Sequence, residues 1–309
     1  MAKRVLVACA SAPLALIACS DEHKNKHDLP TDPPTSVSKV ASGGFQSPTD
    51  AVATPDGKTL VFAAWTDQKE PALFSVPSDG SAQATWLAKS DPLEVPLGLV
   101  MACDGATVYV ADAGGEDGAI LQMATTGGGV TQLTATGITR PGGLAMGPDC
   151  KNLYATGRTS DGTPALFTIP IGGGNASVVH MGAPLVAPTG LHVDSDGVAW
   201  VMDHLAQGKD GEGVLFAIPS DGSRADVVGS GLQMGTPGGV SLTAGGGTAV
   251  IPTRDADGKG QLTSIDIATG AIQQLATPDI TDPAGLRTAR DAGVFAVVDS
   301  EGGAIFKAE

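Results

Sequence analysis

The chain has 309 residues, with 33 acidic against 18 basic side chains and a formal net charge of −15. So acidic a chain repels phosphate backbones, which excludes nucleic acid and leaves cations, basic proteins and basic peptides as partners. Four cysteines with no C-x-x-C spacing, and five histidines without a second ligand at short fixed spacing, give no zinc motif.

Residues 1–18 read as a signal peptide: Lys3 and Arg4 open it, and an apolar run from Val5 to Ala18 follows, too short and proline-interrupted to span a bilayer. The run ends in Leu16-Ile17-Ala18-Cys19-Ser20, which resembles the lipobox of bacterial lipoproteins. That resemblance implies cleavage before Cys19, lipidation of its thiol and amino group, and a place in the bacterial cell envelope, held by a lipid anchor alone. Ser20 rather than Asp after the cysteine implies the outer membrane. The competing reading is an ordinary secretory signal with a chance cysteine. Residues 19–36 are polar and proline-rich and are expected to form a disordered tether. His23 and His27 lie in this tether and are given no further role.

From residue 37 a single unit repeats six times. A proline, a small residue and an apolar pair recur at Pro48, Pro96, Pro141, Pro188, Pro237 and Pro283, with spacings of 48, 45, 47, 49 and 46 residues. Each unit then reads as an inner strand, a tight turn such as "TPDGKT", a second strand such as "TVYVAD", a variable loop, a third strand such as "ALFSVP", a glycine turn and a fourth strand. Four short strands per unit at this period predict an all-β, six-bladed β-propeller over residues 37–309. The sixth unit ends after its third strand, and Val37 lies eleven residues before Pro48, as Val130 lies eleven before Pro141. An N-terminal strand is therefore expected to complete the last blade and close the ring. The second unit, with "PLGL", "DGATVYVAD" and "GAI", resembles the NHL-type propellers, a likeness that implies a fold more than a function.

The face carrying the loops between second and third strands is expected to be the functional one. Cys103 and Cys150 fall on first-to-second turns of adjacent units, away from it, and are expected to pair in an exported protein. Asp112, Asp203 and Asp299 end the second strands of units two, four and six, where units three and five have Thr156 and Thr253. A short oxygen-bearing side chain at that place reads first as an anchor for loop amides. Its second reading is a ring of carboxylates that binds a ligand or draws a cation. Calcium is the one cofactor considered, and three spaced aspartates fall short of the six to eight oxygens it needs. His204 begins the long fourth loop, and His192 lies on an inner strand facing the channel. With Asp50 and Asp203 they form the candidate catalytic set of a divergent lactonase or hydrolase. Gluconolactonase-like propellers place Glu, Asn and Asp around the channel, but this chain has Asp50 where Glu is expected and no asparagine at the rim, so that quartet is missing.

The leading reading is accordingly a monomeric, non-enzymatic binding or scaffold module. Its second-to-third loops carry thirteen acids against five bases, which suits a basic protein, a basic peptide or a cationic ligand. Arg140 and Asp282, just ahead of the prolines of units three and six, complete the candidate ligand-binding set with Asp112, Asp203, His204 and Asp299.

Overall fold

The computed structural model describes residues 31–207, 212–277 and 279–309. The signal segment, Cys19, His23 and His27, and Lys209 and Asp210 of the fourth loop lie outside the described residues.

Six four-stranded antiparallel sheets stand as blades around one axis. Blade one comprises Gln46–Ala53, Thr59–Trp65, Pro71–Pro77 and Thr85–Lys89, counted from the axis outward. Blade two comprises Pro96–Met101, Thr107–Asp112, Ala119–Ala124 and Thr131–Leu133. Leu144–Met146, Asn152–Arg158, Pro164–Pro170 and Ser177–Met181 make blade three. Blade four is built from Pro188–Val193, Ala199–Asp203, Glu212–Ile218 and Asp226–Gln233, and blade five from Ser241–Leu242, Thr248–Arg254, Gly260–Asp266 and Ile272–Ala276. Blade six takes Pro283–Thr288, Phe295–Asp299 and Ala304–Ala308 from the C-terminus, and its outermost strand is Val37–Ser42. Val37 pairs with Ala308 and Ser42 with Ala304, so the ring is closed by the N-terminal strand as the spacing predicts.

The burial pattern explains why the middle strands are nearly continuous runs of Val, Ala, Leu and Phe. Thr59–Trp65 is buried at every interior position because both of its faces meet neighbouring blades. The outer strand Ser177–Met181 has no fully buried residue. Among the described residues six apolar clusters form the core, and each straddles one pair of neighbouring blades. Phe62 and Phe74 of blade one, stacked at 5.2 Å, pack with Val298 and Ile305 of blade six in the cluster that holds the closing strand. Stability therefore sits between blades, and no blade buries its own core alone.

Turns between first and second strands are tightened by aspartate side chains. In blade one Asp56 accepts the Lys58 amide, and Gly57 takes a left-handed φ of 72°. These turns define one face, the turn face; the second-to-third loops define the other, the loop face. The segment expected to be tether as far as residue 36 is docked from Thr31 onward. Its Thr31 methyl lies against Gly245 of the blade five turn, and the Thr35 and Ser36 amides donate to the Glu309 carbonyl. The chain thus enters the propeller along the turn face.

Candidate functional site

The three strand-ending aspartates share one geometry. Asp203 accepts the amides of Val186 (2.7 Å), Ala187 (3.0 Å) and Leu205 (3.1 Å). Asp112 accepts those of Glu94 (2.8 Å), Val95 (2.9 Å) and Gly114 (2.8 Å), and Asp299 those of Thr281 (3.0 Å), Asp282 (2.9 Å) and Gly302 (2.9 Å). Each carboxylate ties the link entering its own blade to the loop leaving the second strand. Thr156 does the related job in blade three, accepting the Gly143 amide and donating to the Thr189 carbonyl. Asp203, Asp299 and Asp112 are 0%, 1% and 3% exposed, so they offer no surface to a partner. The ligand-binding role set out for these three gives way to anchoring, because backbone amides hold their oxygens. Replacing Asp203 with alanine should cost about 2 kcal/mol in urea unfolding, since buried amides lose their acceptor. Asparagine, which keeps one acceptor oxygen, should cost less.

The ring of residues two past each proline closes the channel at the loop face. A methyl group at Gly143 would overlap the Thr189 carbonyl of the next blade, and one at Gly239 would overlap the Leu286 amide. Gly98, Gly190 and Gly285 meet the following blade in the same way. Asp50, the sixth member, accepts the Leu99 amide of blade two (2.9 Å) and its neighbour Ala51's amide (3.0 Å). From neighbouring blade six Arg287 donates to it from Nε (3.1 Å) and pairs with it through Nη2 (3.1 Å), and Nη1 reaches across the channel to donate to the Leu191 carbonyl of blade four. Only about 10 Å3 of free space remains at this level, room for no more than a water. Burial pushes the Asp50 carboxyl up, and the Arg287 guanidinium with the Leu99 and Ala51 amides pulls it back. Asp50 is thus a buried buttress, which removes it from the candidate catalytic set.

Below that seal the channel widens toward the turn face. Positions four past each proline are apolar in blades one to three (Val52, Val100, Ala145) and polar in blades four to six (His192, Ser241, Arg287), so the walls are two-sided. The cavity holds about 140 Å3 and opens into a mouth of about 360 Å3. His192 Nδ1 lies 3.1 Å from Ser241 Oγ, which accepts the Thr288 amide at 3.2 Å. Burial, and then the Arg287 charge, push the His192 imidazole down to about 4 against a smaller opposing pull from Asp194, so it is neutral at physiological pH. Ser241 is 1% exposed, and its Oγ is engaged by His192 and the Thr288 amide.

Among the described residues, no hydrogen bond or ion pair joins any two of Asp50, His192, Asp203 and His204. Asp50 sits in the seal, His192 beneath it, and Asp203 in its loop anchor. His204 donates its amide to Ala187, with its Nδ1 buried and unpartnered among the described residues. The hydrogen-bonded convergence that the hydrolase reading requires is therefore absent among the described residues: Asp203 and His204 both bind the Ala187 backbone, while Asp50 and His192 line the channel. No three His, Cys, Asp or Glu side chains among the described residues stand together as a metal site. Asp282 is engaged by Arg254 rather than free, and burial, then the Asp299 and Glu301 charges, raise its carboxyl against the pull of Arg254. Arg140 is exposed. On the loop face Asp67, Glu116, Asp117, Asp161, Asp257 and Glu301 are exposed, while Arg158 turns back onto the Gly162 and Val186 carbonyls.

Cys103 and Cys150 are bonded, with their Cα atoms 6.0 Å apart, and join blade two to blade three. Sequence reasoning places them far from any site, yet they border the open end of the channel. It also passed over Arg287, Ser241 and Arg290. The signal for the first two was the split of the fourth position after proline into apolar and polar halves.

No protein-family model matches the chain, and no curated protein does. Among solved structures it is similar to a chain in the crystal structure of a nidogen/laminin complex, with TM-score 0.61 and 17% identity over 78% of this chain and 85% of that one. It is also similar to a structural genomics protein of unknown function from Bacteroides thetaiotaomicron, with TM-score 0.63 and 15% identity over 89% of this chain and 72% of that one. At these identities the likeness is one of fold.

Proposed function

We propose that this chain is a monomeric, lipid-anchored binding module that engages a basic protein or peptide on its loop face and performs no chemistry there. The observation that carries the reading is the sealed channel: at the loop face the glycine ring and Asp50 leave about 10 Å3, so that face offers a rim to a partner rather than a cleft to a substrate. The exposed acids around it supply a field that steers and orients a cationic partner. A propeller of similar fold occurs in the nidogen/laminin complex, which lends the scaffold reading an analogy of fold alone.

The entry path of the chain supports the anchoring half. Thr31 lies on the turn face, so a lipid on Cys19 holds that face toward an envelope membrane, the outer one by the Ser20 rule. Eleven residues separate Cys19 from Thr31, and a random-coil chain of that length spans roughly 20 Å on average. The acidic loop face then points away from anionic headgroups and toward partners. Cys19→Ser should move the protein from the membrane to the soluble fraction. Reversing Glu116, Asp161 and Glu301 together to lysine should reduce partner recovery at least ten-fold without changing the melting temperature. Recovery unchanged by these reversals contradicts the reading.

A further inference from the structure

The other end of the channel has the features of a site in its own right. In a protein of net charge −15, the inner cavity is lined by His192, Arg287 and Arg290 and by no carboxylate. Arg287 is balanced by Asp50. Arg290 has no ion pair among the described residues: it is exposed on the blade six turn, and its Nη1 donates to Cys103 Sγ of blade two at 3.0 Å. It therefore reaches past blade one across the mouth of the funnel. The mouth adds Asp194, whose carboxylate is already held by the Trp200 indole N–H (3.0 Å) and the Asp196 and Val198 amides (2.9 Å each).

The polar wall is also pre-oriented. Ser241 Oγ accepts the Thr288 amide and shares a hydrogen bond with His192 Nδ1, so the two side chains hold each other in place. Opposite it lie Val52, Val100, Met101, Ala145 and Met146. A largely apolar cavity with a few placed polar groups is how proteins hold small molecules, and about 140 Å3 is the size that accepts a benzene ring.

We infer that the turn-face funnel binds a small organic anion, a benzene-sized apolar body bearing a carboxylate, with the body against the Val52–Val100–Ala145 wall and the carboxylate at Arg290. The site lies at the opposite end of the channel from the loop face and is independent of what binds there. Arg290 supplies the charge and the fork geometry that a carboxylate matches. His192 supplies a neutral polar group on the wall, so the site selects on one charge.

The test uses the purified full-length protein with methyl-labelled methionine, titrated with benzoate, benzyl alcohol and benzylamine. Benzoate is expected to shift the Met101 and Met146 methyl resonances and to bind at least ten-fold more tightly than benzyl alcohol, with benzylamine weaker still. Arg290→Gln, an exposed change that leaves the fold intact, should bring benzoate to the level of benzyl alcohol. Val100→Phe, which plugs the funnel, should abolish both shifts. The inference is overturned if benzoate leaves both methyls unmoved at millimolar concentration, if the three probes bind alike, or if Arg290→Gln binds benzoate as the parent does.

Discussion

Replacing Arg287 with methionine is expected to lower the free energy of unfolding by about 4 kcal/mol at neutral pH, one of the most damaging single changes in the molecule. The change strands Asp50, which is 2% exposed, as an uncompensated charge, and it removes the donor that Leu191 uses from blade four. It therefore loosens blades one, four and six where they meet on the axis. The pH dependence gives the cause away. Burial already holds the Asp50 carboxyl above its ordinary range, and without the guanidinium it rises further. A carboxyl with a raised folded-state pKa binds its proton more tightly folded than unfolded. The penalty is thus absent below about pH 4 and grows as pH climbs through the folded value. Urea unfolding from pH 4 to 8 should show the deficit of the variant opening over that range. Removing both charges, Asp50→Leu with Arg287→Met, should cost less than the single change. A deficit under about 1 kcal/mol, flat with pH, contradicts the buttress assigned to this pair.

Reduction of the disulfide is expected to cost about 4 kcal/mol, from the closure entropy of the 47-residue separation it spans. The bond sits where blades two and three meet at the turn face, so it covalently pins one of the six interfaces between blades. The double replacement Cys103→Ala with Cys150→Ala should match the reduced parent and should not respond to added reductant. Thermal unfolding with and without reductant measures both. A reduced parent as stable as the oxidised one would show that inter-blade packing alone fixes this corner.

The fold was legible because its signals are local and repeated. Six prolines at near-constant spacing placed the inner strands, and the eleven-residue offset of Val37 from Pro48 placed the closing strand. The anchoring role of Asp203 was also readable, since Thr156 stands at the same place in blade three and shares only a short oxygen-bearing side chain. What the sequence did not disclose is which end of the channel is open. That depends on how closely six inner strands approach, a sum over glycines from Gly98 to Gly285 whose spacing from the next blade is a tertiary quantity. The same glycines looked like an absence of catalytic side chains when they are the seal itself. The Asp50–Arg287 pair joins residues 237 apart in the chain, and no local pattern announces such a contact. Arg290 reads as one more turn residue until its reach to Cys103 across the mouth is seen.

In-cell photocrosslinking from single positions tests the binding-module account. A photoreactive residue at Glu116, Asp161 or Glu301 on the loop face is predicted to trap one discrete partner, while the same residue at Lys58 or Lys151 on the turn face traps none. A partner captured from the turn-face positions and missed from the loop face would contradict it.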